Sequence, residues 1–263
     1  MSFEHINFPV FGQVDYFGKQ SQQQLQPQQQ YTPSHGGKKN TLDPIVTGTS
    51  IIAIKYDKGV VMGSDMLLSY GSLARFNSIQ RMTKFGGNTI IGASGEYSDF
   101  QSITTTLNEL VTDDHCMDDG SRLSPEEIWN YLARILYNQR NKGNPLWNTC
   151  VVIGYQGGKS FLGKVDLVGT CFKEDIVTCG YGSHIALPLL RKARDDNPNM
   201  NLEQAKKLIE DCLRVLFYRD ARSSKKIQIA VAGEQGIDIS GPIELETYNW
   251  NSGEAAVKNF SQV

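Results

Sequence analysis

Nothing in this 263-residue sequence approaches the ~18 consecutive apolar residues of a membrane-spanning helix. An excess of charge of one sign is missing as well: 26 Lys and Arg stand against 28 Asp and Glu, a formal net charge of −2. No field is therefore available to hold nucleic acid or an anionic membrane, and the longest basic runs are pairs such as Lys38-Lys39 and Lys225-Lys226. Cysteine is sparse and odd in number (Cys116, Cys150, Cys171, Cys179, Cys212) and never forms CxxC. That excludes zinc-ribbon spacing and argues against a disulfide framework, leaving free thiols in a reducing compartment. The four histidines, His5, His35, His115 and His184, lack a helical partner at metal-ligand spacing, and nothing resembles a Ser-His-Asp set. The opening MSFEHINFPVFG has neither the basic n-region nor the apolar run of a signal peptide. Cytoplasm and nucleus are the expected location, with no cofactor and no metal.

What the sequence does contain is uneven. Residues 18–40 are rich in Gln, Pro, Gly and Ser and nearly free of apolar side chains. Such a stretch cannot bury enough surface to offset the entropy of ordering it, so residues 1–40 read as a disordered, disposable leader. From Ser50 the texture changes. Ile51–Tyr56 and Gly59–Gly63 flank Asp57-Lys58 as a β-hairpin, and a further strand begins at Thr89. Phe100, Ile103, Leu107 and Leu110 then recur at helical spacing. A second helix opens at Ser124, with Pro125 in its first turn and Glu127 completing a capping box.

Strands follow from Asn148 to Tyr155 and from Ser160 to Leu167, then helices around Ile185–Ala193 and from Leu202 to about Arg219. Ile227–Ala232 and Ile237–Ile239 end the pattern as strands. Strands cluster and helices cluster, which predicts an α+β protein of antiparallel sheets with a helical pair covering each side. The domain is expected over 41–244, followed by a C-terminal arm, 245–263, that docks on neighbouring chains through Tyr248, Trp250 and Phe260.

Two local patterns invite a chemical reading. Gly154-Tyr155-Gln156-Gly157-Gly158-Lys159-Ser160 looks like a phosphate-binding loop, but its first Gly is one residue too close to Lys159 and a strand follows where a helix is required. Nucleotide binding is rejected. Gly48-Thr49, directly before the first strand, is different: a threonine that becomes a chain's first residue can use its hydroxyl as nucleophile and its own amine as base. By itself Thr49 reads more readily as a strand-edge residue.

The surroundings of Thr49 carry a resemblance. VTGTSIIAIKYDKGVVMGSD, SYGSLARFNSIQRM, NTIIGASGEYSDF, NPLWNT, FLGKVDLVGT, CGYGS and YRDARSS, in that order and spacing, resemble the beta subunits of the proteasome core particle, members of the N-terminal-nucleophile hydrolase family. The resemblance runs from about Thr41 to Gly241. It implies a four-layer α-β-β-α sandwich of two antiparallel sheets flanked by helices. It also implies roles: Thr49 at the nucleophile position, Asp65 as the aspartate that positions the catalytic lysine, Asp220 and Ser223 supporting the threonine amine, and Gly95 as oxyanion donor.

Three departures accompany it. Arg81 stands where active members carry the lysine, Tyr181 where a small serine is usual, and Ser224-Lys225 where two glycines usually follow the supporting serine. A guanidinium stays protonated at any working pH and is broader than an ammonium, so it cannot pass protons as lysine does. The Gly48-Thr49 bond should then remain intact, with the leader trimmed instead by a neighbouring subunit near Asn40-Thr41. The reading that results is a non-catalytic structural beta subunit in the machinery of ubiquitin-dependent degradation. Its expected partners are beta subunits of its own and the opposing ring, and alpha-ring subunits. The alternatives are a catalytically active threonine endopeptidase using Thr49 after leader removal, and a free-standing binding protein using its Gln-rich segment.

Overall fold

The structure, a computed structural model, describes residues 43–246. The leader 1–40, the trimming position Asn40-Thr41 and nearly all of the proposed arm lie outside the described residues. Leu245, placed at the start of that arm by the sequence, is buried at 3% exposure in the core, and its amide donates to the Lys225 carbonyl.

Fourteen strands and four helices follow one another in the order strands, helix pair, strands, helix pair, strands among the described residues. The first group is β1 (Val46–Gly48), β2 (Ile51–Tyr56), β3 (Gly59–Asp65), β4 (Leu68–Tyr70), β5 (Leu73–Phe76), β6 (Met82–Phe85) and β7 (Thr89–Glu96). Helices α1 (Tyr97–Cys116) and α2 (Pro125–Asn141) come next. The second group of strands is β8 (Asn148–Gln156), β9 (Lys159–Val165), β10 (Cys171–Lys173) and β11 (Ile176–Cys179), leading to α3 (Gly182–Asp196) and α4 (Leu202–Arg219). Strands β12 (Lys226–Gly233), β13 (Gly236–Ile239) and β14 (Ile243–Glu244) close the fold.

The strands form two sheets in which every pairing is antiparallel. One runs β10-β9-β8-β7-β1-β4-β5, with β6 also on β7; the other runs β11-β2-β3-β12-β13, with β14 also on β12. The side chains show why the strands read as unbroken apolar runs rather than as alternations. In β2, Ile51 and Ala53 point between the sheets, where they meet Ile90, Val151 and Ile153. Ile52 and Ile54 point the other way, onto Ile209, Leu213 and Leu216 of α4 and Ala186 and Leu190 of α3. Successive strand side chains face opposite sides, so a sheet covered on both faces must be apolar at every position.

The first sheet is covered in the same way. Ile91, Ala93, Cys150 and Val152 pack on Phe100, Ile103 and Leu107 of α1 and on Ile128, Leu132 and Leu136 of α2. The four-layer α-β-β-α sandwich expected from the sequence is thus formed. A tight turn at Gly157-Gly158 joins β8 to β9 with both residues at positive φ, 58° and 77°, which glycine adopts freely. Ser124 caps α2 reciprocally with Glu127.

Candidate active site

Three pieces of chain converge where the two sheets meet, and the register of β7 sets their positions. Its first half pairs with β6, Met82 opposite Gly92, and its last two residues pair with β1, Gly48 opposite Gly95. Between them the Arg81 carbonyl accepts the Ala93 amide at 3.1 Å. Arg81 therefore continues the β6 edge immediately beside β1, and its side chain runs beneath Gly48. A methyl on Gly48 would lie 2.5 Å from Arg81 Nε, so only glycine fits over the guanidinium.

The guanidinium is 1% exposed and fully committed to its surroundings on its two terminal nitrogens. Nη1 donates to Asp65 Oδ1 at 2.5 Å and to the Asp65 carbonyl at 3.4 Å. Nη2 donates to the Thr49 carbonyl at 2.7 Å and to the Ser50 carbonyl at 3.0 Å. Asp65 ends β3, and its other oxygen accepts the amides of Leu67 (3.1 Å) and Ser224 (3.3 Å). Burial pushes its carboxyl up to about 6, against the pull of Arg81 and of the two amides. The Arg81 guanidinium in contact with it favours the ionised carboxylate. Arg81 and Asp65 form a tie that binds the start of β2 to the end of β3.

Thr49 follows β1, and its hydroxyl donates to Asp220 Oδ2 at 2.5 Å. Asp220 is the C-terminal cap of α4, and its second oxygen accepts the Arg222 amide at 3.0 Å. The structure thus brings Thr49, Asp65, Arg81 and Asp220 together. Asp220 meets the threonine hydroxyl, whereas the family role assigns it to the amine. The Ser223 hydroxyl turns the other way, donating to the carbonyls of Asp220 (2.8 Å) and Leu216 (3.2 Å) at the end of α4. Gly95 sits at φ +100°, and a methyl there would come within 2.0 Å of the Trp147 carbonyl oxygen, so the position admits glycine alone.

Two of the departures keep their side chains out of the pocket, although the Ser224 amide reaches Asp65. Tyr181 is 59% exposed and directs its ring to solvent. Lys225 forms an ion pair with Glu244. Of the three, Arg81 is the one whose side chain occupies the site.

The segment before Thr49 is part of the sheet. Thr47 and Gly48 pair with Glu96 and Gly95 on one side, and Val46 and Thr47 pair with Tyr70 and Ser69 on the other. The nitrogen of Thr49 is a peptide nitrogen at the end of that strand. A free amine, which an N-terminal nucleophile uses as its base, requires the bond to Gly48 to be broken. Sequence reading missed this strand, and it also missed Glu96. A single strand of three residues, VTG, carries no periodic signal of its own.

An N-terminal-nucleophile fold with a threonine at the head of β2 defines the class, and comparison with known proteins agrees: residues 45–232 match the proteasome subunit family. The chain belongs to that family. Within it, the chain is 84% identical to proteasome subunit beta type-4 of Dictyostelium discoideum, with all of both chains covered. It is 50% identical to the beta type-4 subunit of Arabidopsis thaliana, over 80% of this chain and 85% of that one. With the Xenopus laevis beta type-4 subunit it shares 44% identity, over 83% and 90% of the two chains. All three of these relatives are beta type-4 subunits.

Proposed function

We propose that this chain is a non-catalytic, structural beta subunit of the 20S proteasome core particle, needed to complete the beta rings that serve ubiquitin-dependent degradation. The observation that carries the reading is the Arg81 guanidinium. It is buried against Asp65 and hydrogen-bonded to the Thr49 carbonyl, in the place where an active member keeps a titratable ammonium. A guanidinium holds its proton at all working pH values and cannot relay one from the Thr49 hydroxyl. Without that relay the chain cannot cut its own Gly48-Thr49 bond, and β1 stays in place.

In this reading the leader is trimmed by a neighbouring active subunit near Asn40-Thr41. The partners are beta subunits of the same and the opposing ring together with alpha-ring subunits, in cytoplasm and nucleus. Mass determination of the mature chain tests it directly. A start upstream of Val46 is expected, and a start at Thr49 would overturn the inactive assignment. Thr49→Ala should leave all three kinds of proteasomal peptidase activity unchanged, and loss of one would return the site to the catalytic class.

A further inference from the structure

Glu96 is a buried carboxylate, 8% exposed, that the chemistry at Thr49 does not involve. It ends β7 directly opposite Thr47. Oε2 accepts the Ile45 amide at 2.5 Å and the Val46 amide at 3.0 Å, and Oε1 accepts the Ser98 hydroxyl at 3.0 Å. Hydrogen bonds to an ionised acceptor are about twice as strong as neutral ones. Here two of them join one side chain to a stretch some fifty residues earlier in the chain. The strand they anchor is short, three residues, and its ladder alone would leave it prone to fraying.

Val46 adds a second contact. It lines an apolar cavity of about 250 Å³ together with Leu68, Phe76, Ile79, Tyr97 and Gln101. The carboxylate, which lines the same cavity, thus fixes the backbone of the segment where the Val46 side chain forms part of the cavity wall. Its far end is fixed by Arg81, through the Thr49 and Ser50 carbonyls.

We propose that Glu96 is a clamp: its carboxylate, more than the short ladder of β1, holds residues 45–48 in place between β4 and β7. The proposal rests on the reading that the Gly48-Thr49 bond stays intact. Removing the carboxylate should release the segment while β7 and α1 remain ordered.

Hydrogen exchange on the assembled core particle carrying Glu96→Ala or Glu96→Gln, together with the intact mass of this subunit, tests the clamp. In the alanine variant, peptides covering residues 45–48 should exchange at least about tenfold faster, as loss of bonds to a charged group implies. The glutamine variant preserves shape and one accepting oxygen, and should show a smaller increase. Unchanged exchange in both variants, with the segment still attached, would overturn the clamp and leave the non-catalytic reading standing. Faster exchange spread evenly through β7 and α1 would also overturn it, because Glu96 would then support the fold in general. A wild-type mass that begins at Thr49 would remove the clamp together with the reading beneath it.

Discussion

One side chain, Arg81, decides more about this molecule than any other. Two buried charges in contact gain from each other only while both are present. Arg81→Met should leave the Asp65 carboxylate buried and unpaired, lowering stability by about 3–5 kcal/mol in a denaturant titration. The double variant Arg81→Met/Asp65→Leu should recover most of that loss, since an apolar pair of similar volume is often neutral or better. Failure of the double variant to recover would show that the pair's bonds to the Thr49 and Ser50 carbonyls carry the stability instead. The identity of Arg81 was legible in the sequence once the family pattern was recognised. Its partners were not, because the two carbonyls that accept its Nη2 carry no side-chain signature.

At the level of elements, the sequence was clearest where an element is long and its cap chemistry is explicit. Helix α2 begins where Ser124, Pro125 and Glu127 place it, the serine accepting the Glu127 amide and the glutamate accepting the Ser124 amide. Ser124→Ala should lower the stability of the subunit by about 1 kcal/mol, read as a shift in the denaturant midpoint with unchanged slope. No shift would mean that packing of Ile128, Leu132 and Leu136 fixes the helix without its cap. The elements that escaped notice are β1, β4, β5, β6, β10, β11 and β14, each of two to four residues. Several strands that short lie along the edge of a longer neighbour. β7, with eight residues, lends one edge to both β6 and β1.

Seen whole, the described residues leave large apolar side chains in solvent. Tyr70, Leu73 and Phe76 on the β4–β5 edge are 47%, 59% and 37% exposed. Leu189 of α3 and Val215 of α4 are also open, at 40% and 37%. Exposed apolar clusters of this kind mark surfaces that other chains cover, which fits a subunit of a large assembly. Native size-exclusion chromatography should accordingly find this chain in a particle far larger than its 29.3 kDa. Elution as a monomer from undisturbed extract would contradict the proposed ring role and favour the free-standing binding protein.

The sequence by itself determined the class of fold, the four layers and the family, because long apolar runs, helix caps and a string of spaced motifs are local facts that survive without coordinates. It also showed an arginine at the position where the family resemblance implies a lysine in active members. Only the tertiary structure decided what that guanidinium does: it ties Thr49 and Ser50 to Asp65 beneath a glycine that could be nothing else. The same holds for the strand that precedes Thr49 and for the carboxylate of Glu96. Both depend on residues some fifty positions apart becoming neighbours, and a contact made by backbone amides leaves no trace in the order of side chains.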